Sequence, residues 1–438
     1  MRIMSRQFYL FSGFHSLLIG LLPFFLPVLL WKQGESLTVI SAFIALTGVG
    51  YIITLWCWDR LRFQQRWRTV FILSFFIELL LVSTLTYAGS NLYLIGLALI
   101  NGAYNCFYWS TQRYMFSDIT SQENSGKTFG NFQILVVVLL KLGILLGAYL
   151  LENQGINAIL LCSSITASIA LGLLLSNLPT SNVHALNNVS GKIKTGQSPS
   201  LSEVDHNVLS IKQIAGFKDP HKSTLTFLLD GPFLFLESYF WVLSLYFLSN
   251  QNILELGIVI VSLTFLLSAL FYVIKNKIDQ ANPQKVFSLA VTLYALSWVL
   301  RAQLDAGTHA LLLYSTIILI AFLTTFFRLA FNKRFFDVSR NDKPYSYIIL
   351  KSNYSQLGIA LFFGASALLL LLFDEIDIQQ ALTAFYWLAS PIALIYGLYA
   401  RNLFSANQHY HAVTPPQFLS HNRTTSRSSV TGQQVNLI

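Results

Sequence analysis

The sequence predicts an all-α integral membrane protein: twelve transmembrane helices in two six-helix bundles related by pseudo-two-fold symmetry. Three observations lead there. About a dozen mostly apolar stretches of twenty or so residues run along the chain, the length an α-helix needs to cross roughly 30 Å of hydrocarbon. Hydrophobic residues make up 54% of the 438 and charged ones only 11%, with a mean hydropathy of +0.57, so the polar residues cannot cover a water-facing surface. A polar stretch then splits the apolar runs six and six. Because unpaired backbone amides are so costly in lipid, runs of this kind are helices rather than irregular chain.

In order, the first six spans are expected at 8–30, 37–58, 69–88, 92–112, 129–151 and 157–177, and the second six at 223–248, 253–274, 286–303, 308–330, 347–373 and 379–400. Arg2 and Arg6 imitate the basic start of a signal peptide, but the apolar run after them is too long and lacks a small-residue cleavage site, so a retained first helix is expected. Pro23 and Pro27 mark hinge points in it. Residues 1–178 form the N-terminal bundle, 179–222 a cytoplasmic linker, 223–404 the C-terminal bundle and 405–438 a disordered tail rich in Ser, Thr, Asn and Gln. The linker holds two weak apolar patches, at 208–214 and at Phe217.

Charge orients the spans. Arg60, Arg62, Arg66 and Arg68 follow span 2, Arg113 and Lys127 flank the loop after span 4, and Lys275, Lys277, Lys285, Lys333, Arg334, Arg340 and Lys343 fall on the same side in the second half. The opposite loops carry little positive charge beyond Lys32 and Arg301, and Asp374, Glu375 and Asp377 make one of them acidic. By the positive-inside rule both termini are cytoplasmic, and a bacterial inner membrane is the expected location. The net charge of +9 is thus spread over short loops instead of one basic stripe, which argues against nucleic acid as a partner. Cys57, Cys106 and Cys162 show no CxxC spacing, so neither a disulfide framework nor a metal site is indicated, and no cofactor is expected.

The halves echo each other, as in transporters built from repeated bundles. Thr111-Gln112-Arg113 after span 4 answers Phe331-Asn332-Lys333 after span 10, Lys141-Leu142-Gly143 answers Gln356-Leu357-Gly358, and Gly13 is matched with Gly231. Over nearly its whole length the chain resembles the major facilitator superfamily. The loop after span 2 carries the best local likeness: Leu55-Trp56-Cys57-Trp58-Asp59-Arg60-Leu61-Arg62 keeps the family's Asp-Arg pair but has Leu55 and Arg62 where glycines are usual, and Arg66 and Arg68 stand for later basic residues. The resemblance implies a cytoplasmic gate at Asp59, Arg60 and Arg66, with Asp279 as the second-half counterpart; the arginines are equally explained by the orientation rule alone. Span 4 offers Asn101 and Asn105 where proton-linked members often place an Arg, and span 5 lacks the Gly-Pro pair of drug antiporters.

Charges at membrane depth cost roughly 2.5–3.5 kcal/mol at a helix centre, so they mark cavities or pairs. His15, Glu78, Lys141, Asp230, Glu237 and Arg328 are such residues. Asp230 and Glu237 lie about two turns apart on one face of span 7, beside a Gly231-Pro232 step that invites a local break. Either acid couples a proton to movement or a fixed Lys or Arg neutralises it. Lys141, near the middle of span 5, faces an anionic substrate or Glu237; Arg328, near the end of span 10, either meets substrate or snorkels. His15 suits a proton relay or a bond to a neighbouring helix, and Glu78 a structural pair. Asn101 and Asn105, with Gln133, Asn353 and Gln356, complete a polar lining or glue helices together.

The function these readings favour is secondary active transport: a small polar or charged organic solute moved by alternating access, coupled to a proton or other ion gradient, by a monomer in the lipid bilayer. No nucleotide-binding loop is present. The other readings are a transport-inactive sensor or assembly partner and a membrane-embedded enzyme; the last lacks any nucleophile, His–acid dyad or metal spacing.

Overall fold

The computed structural model describes residues 2–86, 91–119, 125–176, 211–280, 283–305, 307–341, 344–372 and 377–401. Most of the linker and the whole tail therefore lie outside the described residues, as do the side chains of Gln133 and Asp279. Helices α1 (Arg2–Leu21), α2 (Leu26–Lys32), α3 (Leu37–Phe63), α4 (Trp67–Thr86), α5 (Asn91–Ile119), α6 (Ser125–Asn153) and α7 (Ile156–Ser176) form the first half. After the short α8 (Ile211–Ala215), the second half is α9 (Ser223–Phe235), α10 (Trp241–Leu248), α11 (Ile253–Gln280), α12 (Pro283–Ala302), α13 (Ala310–Asn341), α14 (Pro344–Leu372) and α15 (Ile378–Ala393). Among the described residues nine helical spans are long and apolar enough to cross a membrane, and the pair α1–α2, bent by 40°, makes ten. Helices α5 and α11, of 29 and 28 residues, occupy the places of the two other expected spans.

Proline placement shapes both first helices of the halves. The break after α1 is a 3₁₀ turn at Pro23–Phe25, where the sequence put a hinge. In span 7, by contrast, the expected break at Gly231-Pro232 is absent: α9 runs through Pro232 and widens into a π turn at Leu236–Phe240 before α10. Pro232 cannot donate to the Leu228 carbonyl. That carbonyl instead lies against Gly358 of α14, where an added Cβ would sit 1.9 Å from it, so the close packing shelters what the proline leaves unbonded.

Glycine contacts define the repeat. Gly231 lies against the Ser355 carbonyl and Gly358 against that of Leu228; in the first half Gly20 lies against the Leu140 carbonyl and Gly143 against that of Leu17. The two crossings, α9 on α14 and α1 on α6, are therefore copies of one another, and Gly143 answers Gly358 as the sequence echo proposed. Its companion match needs correcting: Gly20, about two turns beyond Gly13, is the counterpart of Gly231, while Gly13 meets only the flexible ends of Leu139 and Leu135. Small residues let helix backbones approach this closely in lipid, where dispersion contacts replace the hydrophobic drive.

The halves meet along α3 against α14, where a Cβ on Gly48 would meet the Gln356 carbonyl at 2.8 Å, and along α6 against α11 through Ala148 and Gly257. On the face bearing the N-terminus, Phe116 packs on Phe336 and Tyr114 on Tyr345; on the opposite face Trp31 packs edge-on to Phe247. The end of the linker docks as well, with Phe217 against Tyr347 and Tyr354, the latter donating to the Ile214 carbonyl at 2.6 Å.

Candidate functional site

A buried charge cluster sits where α9, α13 and α14 converge. Arg328 of α13 gives Nη1 to Asp230 Oδ1 at 2.7 Å, and clasps Glu237 with Nε at 3.1 Å and Nη2 at 3.0 Å. Lys351 of α14 closes on the other oxygen of Asp230 at 3.2 Å, its ammonium over the rings of Phe331 and Phe335. Tyr294 of α12 donates to Glu237, and Tyr396 donates to Asp230 at 3.3 Å. Two carboxylates and two cations thus cancel, with hydroxyls filling remaining lone pairs, the condition under which buried ions are tolerated. The π turn is what sets Glu237 here; such turns recur at functional sites because they re-aim side chains without ending a helix.

Toward the first half, Asn101 of α5 donates to the Tyr239 hydroxyl at 3.0 Å and to Thr47 at 3.2 Å, and Asn105 donates back to the Asn101 carbonyl at 2.8 Å. Tyr239 belongs to the same π turn as Glu237, so this bond ties the halves together beside the cluster. A second buried pair lies within the first half: His15 Nδ1 is 2.7 Å from Glu78, its Nε2 is 2.9 Å from the Ser74 hydroxyl, and Phe75 stacks on the imidazole at 4.0 Å. His15 at 0%, Glu78 at 1% and Asp230 at 1% exposure are enclosed, while Arg328 and Glu237 keep 16% of their side-chain surface open.

The structure sorts the predicted residues. It brings Asp230, Glu237 and Arg328 into one cluster, and Arg328, only 16% exposed, turns inward instead of snorkelling. It joins His15 to Glu78, away from that cluster. Lys141 is half-buried and has no hydrogen bond or ion pair among the described residues; Glu237, its suggested partner, is taken by Arg328 and Tyr294. At the end of α3, Asp59 accepts from Arg62 at 3.0 Å and from Tyr345 of α14, and the Arg62 guanidinium lies 3.7 Å from the centre of the Tyr345 ring. Arg60 and Arg66 are exposed and form no ion pair among the described residues, so the partner of Asp59 is the arginine that replaces a family glycine. Asp279 lies outside the described side chains.

Sequence reasoning missed Lys351, Tyr294, Tyr396, Tyr239 and Tyr345. The signal for Lys351 was available: Lys351, Ser352, Asn353, Ser355 and Gln356 crowd polar atoms into one end of an apolar span. The tyrosines carried none, since an aromatic in a lipid-facing helix reads as apolar. Arg301, counted with the charge of the opposite loops but inside the expected span 286–303, is in the last turn of α12 and buried.

Three solved structures resemble this arrangement. The crystal structure of the nucleoside transporter NupG superimposes with a TM-score of 0.62 at 13% identity, covering 90% of this chain and 98% of that one. A point mutant of the same transporter gives 0.60 at 12%, covering 90% and 99%. The POT family transporter PepTSo gives 0.55 at 14%, covering 94% and 98%. These likenesses concern the fold. No curated protein matches the sequence. The sequence profile described as Major Facilitator Superfamily matches residues 8–327. With that match over most of its length, and with its repeated helix crossings, the chain belongs to the Major Facilitator Superfamily.

Proposed function

We propose that this protein is a monomeric secondary active transporter of an inner membrane, both termini cytoplasmic, moving a small polar or charged organic solute by alternating access with proton coupling. The moving units in this reading are the bundles 1–178 and 223–404, joined by the 179–222 linker, with 405–438 as a tail. The observation that carries it is Arg328 shared between Asp230 and Glu237 at membrane depth, one π turn from the Asn101–Tyr239 bond that links the halves. A proton on Glu237 removes one of the two claims on Arg328 and frees its Nε and Nη2 edge for an anionic or zwitterionic solute. His15, Asn101, Asn105 and Lys141 belong to the same polar route in this reading.

Uptake into proteoliposomes under an imposed pH gradient, across a panel of charged and zwitterionic solutes, tests it. Wild type is expected to accumulate solute, whereas Glu237→Gln exchanges without accumulating and Asp230→Asn is inactive. Accumulation by both variants at wild-type level would remove the acids from the coupling.

Asp59, Arg62 and Tyr345 serve as the cytoplasmic latch, with Arg60 and Arg66 beside it in sequence and Asp279 as the second-half counterpart of Asp59. A hydrogen bond to a charged group is worth ~1.5–3 kcal/mol, so Tyr345→Phe is expected to shift the equilibrium toward the cytoplasm-open state by tenfold or more, at ~1.4 kcal/mol per decade. Spin labels at the exposed Gln64 and Lys333 report it as a longer-distance population. An unchanged distance distribution refutes the latch.

A further inference from the structure

Away from the central cluster, Arg301 presents a different problem. Its side chain is enclosed within the C-terminal bundle, 3% exposed, yet no carboxylate lies within ion-pairing distance among the described residues. Nη1 donates to Ser297 and Nη2 to Thr324, both at 2.8 Å, and the plane is flanked by Trp298 at 4.3 Å and Trp241 at 5.1 Å. Nε has no hydrogen-bond partner. Two neutral hydroxyls and two indole faces orient the guanidinium, and the nearest acid acting on it, Glu237, reaches it only at longer range and is already held by Arg328 and Tyr294, so a buried cation is left without a counter-charge in contact.

The same residue lines a cleft of about 40 Å³ on the face opposite the N-terminus, between the end of α10, the end of α12 and the start of α15. One water needs roughly 10–15 Å³ by this measure, so the space suits a halide or the head of a small carboxylate. Leu248, Leu304 and Leu382 give the wall an apolar side, while Gln379 and Thr383 add polar atoms near the mouth. Asp305 also borders the cleft, but its carboxylate accepts from the Gly307 amide.

We propose that this cleft is a binding site for a small monovalent anion, with Arg301 as its charge partner and Trp241 and Trp298 as its aromatic sides. The anion enters from the face of the α10–α11 and α14–α15 turns and reaches Arg301 without passing the central cluster. Arg301 is linked to that cluster through Ser297, which donates to the Tyr294 carbonyl at 2.7 Å, while the hydroxyl of Tyr294 bonds Glu237. Glu237 also acts on Arg301 electrostatically, so the two sites are neighbours in charge as well as along α12.

Binding is measured on the full-length protein in detergent by thermal unfolding, titrating sodium chloride, acetate, propionate or butyrate against sodium gluconate at constant ionic strength. Gluconate is too bulky for the cleft. Saturable stabilisation by at least one of the four is expected in wild type. Chloride alone acting identifies a bare-ion site; increasing strength from acetate to butyrate identifies a carboxylate whose tail lies on the leucine wall. Arg301→Gln is expected to weaken the half-saturating concentration by tenfold or more. Thr383→Phe, which fills the cleft from a half-buried position and leaves the arginine in place, is expected to do the same and decides the matter if Arg301→Gln does not fold. A flat wild-type response, or an unchanged half-saturation in whichever variants fold, overturns the site. The readout is independent of transport, so its failure leaves the reading of the central cluster intact.

Discussion

Arg328→Gln is expected to destabilise the protein by ~3–5 kcal/mol, the range for removing one member of a buried ion pair. The loss does not measure the strength of the bridge. It reflects what is left behind: Glu237 retains only Tyr294, and Asp230 must be held by Lys351 and Tyr396. The second site of the cycle makes the distinction. Adding Glu237→Gln removes the stranded charge, so the double variant is expected to regain at least half of the lost stability, whereas independent effects would add. Unfolding by heat or by denaturing detergent, for wild type, both single variants and the double variant, gives the coupling. Additive losses would mean that Arg328 and Glu237 do not compensate one another.

The second large effect is steric. A Cβ at Gly358 would lie 1.9 Å from the Leu228 carbonyl and one at Gly231 1.9 Å from that of Ser355, and backbone on a helix cannot swing away as a side-chain tip can. Overpacking commonly costs ~1–3 kcal/mol, and Gly358→Val or Gly231→Val should exceed that range, because α9 and α14 must separate and the cluster between them loses its register. Gly20→Val and Gly143→Val are expected to follow, since their contacts in the first half have the same form. Gly172→Ala is the control: nothing lies within 4 Å of its added methyl, so only helix propensity acts, which favours alanine by up to ~1 kcal/mol. Folded yield and melting temperature of the set check the pattern. Near-wild-type stability of Gly358→Val and Gly231→Val would deny the tight crossing.

Much of this protein could be read directly from its residues. The spans came out in order because lipid leaves so few solutions: a stretch of twenty apolar residues must satisfy its backbone internally. The acids of span 7 stood out for the same reason, since a charge at that depth is rare enough to be informative. The repeat was legible in part, through Gly143 and Gly358, but the partner of Gly231 was misplaced by about two turns. Without a crossing angle, nothing in a run such as Gly13 to Gly20 says which glycine meets the neighbouring helix.

What sequence alone determined, then, is which segments cross the membrane, how they divide into halves, and which side chains pose an electrostatic problem. Tertiary structure decided how each problem is solved: Glu78 with His15, Arg328 with both Asp230 and Glu237, Arg62 with Asp59, and Arg301 with no carboxylate at ion-pairing distance among the described residues. Hydropathy is a property of single residues summed along a helix and survives in one dimension. Charge compensation depends on which faces of separate helices are turned toward each other, and that is fixed by glycine contacts and a π turn whose consequences appear only when the helices pack.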